Sequence, residues 1–487
     1  MTDSRQKAIA DVEALVTGGH YNEAKGALFG LLYNFPHWPE PHVLEGRLLL
    51  LLDSPKEAAG AFQRGLQVDP TRDQTDPYLC LARGHLGILA AEDGRTQQAL
   101  ADLEVAAAFL PRWADLYAAL GAGYFRVGDA ARALAAMSQV ATLNPFSWEA
   151  AYNVAMLRTV VAGQDETVVA ADFVLPVWGE AYVDMALDAM LPTLLHDGNL
   201  NALPASRLRI FTRPEDADTI RRWSRFSTLA ALTEVEFVDL PLAGMGSKYD
   251  LMTRCHLQGM IDGLARRAVV FFPMPDNIYS AGLMAAAYAR ICAGAKAVMI
   301  ATLQVSNVDA WTAWQARSKP ADSRSLVEIA LAHASSWSRQ CFWGQEYLAG
   351  WPSHLSWPVG QRGRCGHFFH LHPIAVVPPR ALLTRVDTID GELVGCFDPE
   401  TEIDVIQDSD DGVAISLDQG ENWAIVAGDA ESQVAAVSEW ARIHANRAHR
   451  AFFRQSIRIH ADDIGAAWQA EEVKAQAVVD AILAAAD

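Results

Sequence analysis

Residues 267–305 read RAVVFFPMPDNIYSAGLMAAAYARICAGAKAVMIATLQV. The opening run, Ala268 to Phe272, is β-branched and aromatic and too short to cross a membrane, so it reads as a buried strand. Pro273 and Pro275 stop it. Asp276, Asn277, Tyr279 and Ser280 follow, then a helical stretch from Ala281 to Cys292, a stop at Gly294 and a second apolar strand from Ala297 to Leu303. Strand, polar loop, helix and strand in this order form a unit of an open α/β sheet. Ligands of such sheets sit beyond the carboxyl ends of the strands, which is where Asp276 and Asn277 fall.

Working outward, Thr167 to Val177 predicts a first strand, with Trp178, Gly179, Glu180, Ala181 and Tyr182 at its end and a helix from Val183 to about Leu195. Arg207 to Thr212 predicts a second strand, 217–232 a helix, Val235 to Leu240 a third strand and 249–266 another helix. This alternation predicts a mostly parallel sheet with both faces covered. No GxGxxG follows the first strand, and no GxxxxGKS or GxxxxGKT occurs, so the two commonest nucleotide cradles are absent.

The 487 residues suffice for two to four domains, and 59 acidic against 39 basic side chains give a formal charge of -20. That charge repels phosphate backbones and anionic membrane surfaces, so neither nucleic acid nor lipid is the expected partner. No apolar run is long enough for a membrane span, and the N-terminus lacks the basic-then-apolar order of a signal peptide. Six scattered cysteines without a CxxC pair fit reduced thiols in the cytoplasm.

The first 162 residues are repetitive. Pro36, Pro70, Pro111 and Pro145 close the phrases NFP, VDP, FLP and LNP, with a longer middle interval that TRDQTDP, ending at Pro77, absorbs as a loop. Ala24, Ala58, Ala99 and Ala133 stand at one offset upstream, followed four residues later by Leu28, Phe62, Leu103 and Met137. Gly46, Gly87 and Gly121 recur in the first helix of each repeat, and Gly19, Gly94 and Gly128 at the turn. Small residues at fixed offsets let paired helices approach, while large ones fill the gaps between repeats. The pattern resembles the tetratricopeptide repeat, with Leu120, Gly121, Tyr124, Gly128, Ala133 and Pro145 matching best. Four repeats and a packing helix from Trp148 to Val161 are expected. Such a solenoid offers a concave face to a protein partner, with Tyr117, Asn153 and Arg158 as candidates to line it.

Within an expected second domain of residues 163–487, about 170–465 resemble the GT-A class of glycosyltransferases, and more closely bacterial proteins in which tetratricopeptide repeats precede a GT-A-like domain. The phrases that carry this are VWGEAYVDMALDAMLPTLLHDGNL, PDNIYSAG, FHLHPIAVVPP with TIDGE, and WARIHANRAHRAFF. The resemblance implies a nucleotide-sugar donor at the sheet's C-terminal edge and a divalent metal (Mn or Mg) on an Asp-x-Asp loop clamping the leaving diphosphate. Here the loop is Met274, Pro275, Asp276, so the motif's first acid is missing. On this reading Asp276 and His372 are the metal candidates. Trp178, Gly179, Glu180, Lys248, Asp276, Asn277 and Ser280 are the donor-binding candidates, and Asp390 of TIDGE is the candidate base.

Each has a plainer alternative. Asp276 after a proline suits a turn, Glu180 suits the first turn of a helix, and His370 and His372 suit hydrogen-bonded structural roles. The acidic run Asp404, Asp408, Asp410, Asp411 reads as a solvated turn. The tryptophans 337, 343, 351 and 357 would serve either a sugar pocket or a core. The expected fold is a tetratricopeptide α-solenoid followed by a GT-A-like, mostly parallel α/β domain. The expected function is sugar transfer to a protein recruited by the repeats. The rival is a repeat adaptor whose GT-A-like domain has lost catalysis.

Overall fold

The computed structural model describes residues 2–69, 76–242, 246–418 and 425–486. The chain divides into two compact units, Met1–Gln164 and Asp165–Asp487. Pro70 and residues 71–75 of the expected loop lie outside the described residues.

The first unit is helical throughout. Its helices are α1 (Thr2–Thr17), α2 (Tyr21–Asn34), α3 (Pro39–Leu51), α4 (Pro55–Gln67), α5 (Pro77–Glu92), α6 (Thr96–Phe109), α7 (Ala114–Arg126), α8 (Ala130–Leu143) and α9 (Trp148–Val161), each packed on the next. The repeat pattern has a direct physical cause. A Cβ on Gly46, Gly87 or Gly121 would lie 2.6 Å from the side chain of Phe62, Leu103 or Met137 respectively. The glycine column and the large column are therefore two halves of one contact, repeated. Ala24, Ala58, Ala99 and Ala133 are fully buried beside it. Gly19, Gly94 and Gly128 have φ of 78°, 75° and 81°, and the second repeat makes the same left-handed turn with Asp53 at φ 56°. Of the three residues considered for a concave face, Asn153 is buried, Tyr117 is half-buried and bonds the Ala107 carbonyl, and Arg158 is exposed.

The stiffness of the second partner sets the cost of filling these gaps. Gly46→Val is expected to destabilise the repeats by about 2–3 kcal/mol, because the Phe62 ring cannot yield. Gly121→Val is expected to cost less, because the Met137 thioether can swing aside. Urea unfolding followed by helical circular dichroism checks the order of the two.

The second unit is built on fifteen strands among the described residues: β1 (Ala170–Pro176), β2 (Arg207–Thr212), β3 (Glu234–Asp239), β4 (Ala268–Phe271), β5 (Asn277–Tyr279), β6 (Ala297–Ile300), β7 (Thr302–Ser306), β8 (Tyr347–Ala349), β9 (His354–Pro358), β10 (Gly363–Phe368), β11 (His372–Val376), β12 (Ile403–Val405), β13 (Ala414–Asp418), β14 (Ile425–Ala427) and β15 (Ile457–His460). Seven form the main sheet in the order β12-β6-β11-β4-β1-β2-β3. All its pairings are parallel except those of β11, which runs antiparallel between β4 and β6. Smaller sheets join β5, β13 and β7, β10 with β9 and β15, and β8 with β14.

Every residue of β1 is buried, as expected of a central strand covered on both faces. Its one acid, Asp172, is neutralised by Arg207 (Nη2 to Oδ2, 2.7 Å) and Arg266 (Nη1 to Oδ1, 3.1 Å). The helix Lys248–Arg266 lies tight on β1, since a Cβ on Gly259 would come within 2.2 Å of Val174. The helix expected from Val183 begins at Glu180 and passes through a π-helical turn, Ala186–Met190. Pro192 has no N–H to offer the Asp188 carbonyl four residues back, and the Lys319 ammonium donates to that carbonyl instead, at 3.3 Å. Two further expectations need correction. The strand expected over 297–303 breaks at Ala301 into β6 and β7, which belong to different sheets. The helix expected over 217–232 is two, Pro214–Arg221 and Phe226–Leu232.

Trp337, Trp343, Trp351 and Trp357 pack in apolar clusters, the last three in the one shared with the C-terminal helix Ala466–Ala486. Of the two roles considered for them, this is core packing.

Candidate functional site

From β1 the chain steps outward to β2 and β3, then returns to lay β4 on the other side of β1. The order therefore reverses between β1 and β4, and a crevice opens beyond the carboxyl ends of these two strands. The crevice has a volume of 450 Å³. Pro176, Val177 and Trp178 leave β1 along one wall, Met274, Pro275 and Asp276 leave β4 along another, and Lys248, Tyr249 and Met252 come from the first turns of the long helix. Tyr182, Gln304, Ser416 and Leu417 complete it.

Three of the candidates meet here: Trp178, Lys248 and Asp276. The loop carrying Asp276 is held at both ends. The Asp276 carbonyl accepts from the Leu417 N–H at 3.0 Å, its Oδ2 accepts from the Ser416 hydroxyl at 3.4 Å, and the Met274 N–H donates to the buried Tyr279 hydroxyl at 2.8 Å. Burial and the nearby Asp276 charge raise the Tyr279 hydroxyl well above its ordinary pKa, so it stays protonated. The Lys248 ammonium lies 5.0 Å from the centre of the Tyr249 ring, which places a cation against an aromatic face at the mouth.

The other candidates lie elsewhere, each for a local reason. Asn277 is buried in β5, opposite Ser416 of β13. Ser280 is fully buried, with its hydroxyl accepting from the Val413 N–H at 3.0 Å, so it ties loops together. Gly179 has φ 82° as the N-cap of the helix Glu180–Met185, and its N–H donates to Asp216 at 2.9 Å. Glu180 is an exposed first-turn acid, outside the crevice lining. Asp390 is also outside it, its carbonyl bonded by His449 Nε2 at 2.9 Å.

His372 Nε2 is engaged by the Phe272 carbonyl at 2.7 Å. Burial holds its imidazole below the ordinary histidine pKa. A divalent metal therefore finds one carboxylate in the crevice, with a methionine where a second acid would stand. Among the described residues the group of three side chains with metal-like spacing is Asp408, Asp410 and His460, in another part of the unit. These are already spent on one another and on Arg324: His460 Nε2 to Asp408 at 2.8 Å, and Asp410 on Arg324 at 3.0 and 2.8 Å. Among the described residues, the donor set lining the crevice does not fit a metal ion.

Tyr182 and Tyr249 were legible neighbours of the candidates, the first inside PVWGEAY and the second beside Lys248. Met252 lies one helical turn beyond Lys248. Gln304 and Ser416 had no local signal, because β7 and β13 reach the site only through the second sheet. A larger groove of 1040 Å³ runs along β12 and the C-terminal helix, but its charges are paired within the chain, Arg290 with Asp404 and Asp411, and Arg458 with Glu472.

No protein-family model and no curated protein matches the chain. Among solved structures it is similar to PilF of Pseudomonas aeruginosa, at 18% identity over 33% of this chain and 71% of that one, with a TM-score of 0.28. It is similar to a MamA protein at 21% identity over 31% of this chain and 84% of that one, TM-score 0.26, and to MamA of Desulfovibrio magneticus RS-1 at 20% identity, 32% and 85%, TM-score 0.26. These are tetratricopeptide-repeat proteins, and the likeness lies in the N-terminal part. The N-terminal unit is a helical repeat. Its own helix pairs and glycine contacts carry that statement. The second unit is a mixed α/β sheet domain, and among the described residues no helix is long and apolar enough to cross a membrane.

Proposed function

We propose that the α/β unit binds a nucleotide sugar in the crevice between β1 and β4 and transfers the sugar to a protein acceptor recruited by the repeats. The observation that supports this most is the meeting of Trp178, Lys248 and Asp276 at the point where the sheet order reverses. Trp178, Tyr182 and Tyr249 offer flat apolar faces to a base or a sugar ring. The Lys248 ammonium offsets phosphate charge that grows as the nucleotide leaves. Asp276 accepts hydrogen bonds from sugar hydroxyls. Carrying the acceptor-binding repeats and the donor site on one chain raises the effective concentration of one substrate near the other.

A binding protein without transfer is the second reading. Met274 in place of the first acid, and the burial of Asn277 and Ser280, favour it. Release of nucleotide from a panel of nucleotide sugars by the full chain separates the two. The enzyme reading expects slow hydrolysis of one donor, reduced at least about tenfold by Asp276→Asn and within about twofold of normal in Asp390→Asn. Tight binding of a donor that is never cleaved selects the second reading.

A further inference from the structure

Arg364 lies on β10, where Arg364, Gly366 and Phe368 share one face and Cys365 and His367 the other. The residue is 7% exposed, and its Nε is buried without a hydrogen-bond partner. The other arginine buried to this degree among the described residues, Arg209, is neutralised by Glu236 and Asp262. Arg364 has no such acid among the described residues. The ionisable side chains close enough to feel its charge are the thiol of Cys341 and the imidazole of His354; burial keeps the thiol protonated and the imidazole neutral, so neither supplies a counter-charge. An interior cation without a counter-charge is among the least favourable groups a fold can hold, and a guanidinium fork matches a carboxylate or phosphate in two parallel hydrogen bonds.

A second polar group packs on the same aromatic ring, that of Phe368. The Phe368 ring is 6.0 Å from the Arg364 guanidinium carbon and 4.6 Å from the His354 ring. His354 Nδ1 is taken by the Ser353 hydroxyl at 2.8 Å, which leaves Nε2 as its remaining ring nitrogen. We infer that Arg364 anchors an internal oxyanion site in the α/β unit, which takes the carboxylate or phosphate group of a small ligand, with His354 as its second contact. The site is separate from the crevice between β1 and β4 and does not rest on the function proposed for it.

Thermal unfolding of the full chain in chloride, inorganic phosphate or malonate at equal ionic strength tests it. The wild type is expected to melt several degrees higher as one of these oxyanions rises from about 1 to 100 mM. Arg364→Met is expected to show no such rise, and to melt in chloride at or above the wild type, since an uncompensated buried charge has become an apolar side chain. Arg364→Lys, which keeps the charge and loses the fork, is expected to need at least about threefold more anion, and it decides the matter should the methionine variant fail to fold. A response to phosphate alone assigns the ligand to free phosphate or phosphate esters, and a response to malonate alone to carboxylates. No response in the wild type, or an equal response in both variants, overturns the site and leaves Arg364 a structural cation solvated by water only.

Discussion

Below pH 6.5 the α/β unit is expected to lose stability well before its carboxylates begin to protonate. Burial depresses seven of its histidines: His256 and His354 to about 3, His370 to about 4, and His196, His367, His372 and His449 in the same direction. In the unfolded chain each returns to about 6.5 and takes up its proton first as pH falls. The sign follows from linkage. Stability is fully present above about pH 6.5, and each histidine removes up to about 1.4 kcal/mol per pH unit below it until its own folded pKa is reached. His256 is the clearest case, being fully buried, with both ring nitrogens unpartnered and its ring edge-on to Phe272 at 4.9 Å. It alone is worth on the order of 3–5 kcal/mol between pH 6.5 and 3. Hydrogen exchange of peptides covering residues 250–266, measured at pH 7, 6 and 5 and corrected for intrinsic rates, should show protection falling across the series. His256→Phe should make the fall shallower by about one proton. Equal protection at pH 7 and 5 would mean that these histidines are not held neutral.

Asn199→Ala is expected to destabilise the same unit by about 3–4 kcal/mol, because three buried backbone groups lose their partner at once. The Asn199 amide donates to the carbonyls of Thr193 (2.9 Å) and Ser280 (3.1 Å), and its Oδ1 accepts from the Met284 N–H (3.1 Å). Next to it Gly198, at φ 77°, passes so close to Gly282 that a Cβ would lie 2.6 Å from the Gly282 Cα. One side chain thus fixes the loop after β5 to the loop before β2. For a unit of this size the loss corresponds to a fall in Tm of roughly 5–8 °C. Asn201→Ala, two residues away and exposed, should cost less than about 1 kcal/mol. Calorimetric scans of the two variants check the contrast, and equal effects would contradict it.

These residues also mark where the sequence stopped being legible. The contact between Gly46 and Phe62 repeats at a short, nearly regular interval, so spacing alone exposes the repeats, and the alternation of β1 to β4 with helices is likewise written locally. The reversal of strand order that opens the crevice is not written in that alternation; Trp178 and Asp276 could be picked out because each stands at the end of a locally legible strand, and Lys248 through the resemblance to the GT-A class. Asn199 could not be, since its partners lie up to 85 residues away. Ser280 and Asn277 stood in the right loop but turned inward, because β13 arrives from more than a hundred residues downstream to pair with β5 and cover them. The antiparallel β11 carries His372 into the sheet next to β4, where the Phe272 carbonyl claims it, and no local pattern announces that pairing.

The central claim is that the crevice between β1 and β4 holds a nucleotide. Calorimetric titration of the full chain with UDP, GDP, dTDP, CDP and CMP, with manganese and with a chelator, addresses it most directly. One nucleotide should bind, and Trp178→Ala and Lys248→Ala should each weaken it at least about tenfold. A folded chain that binds none of the five, or binds one with undiminished affinity in both variants, would contradict the claim.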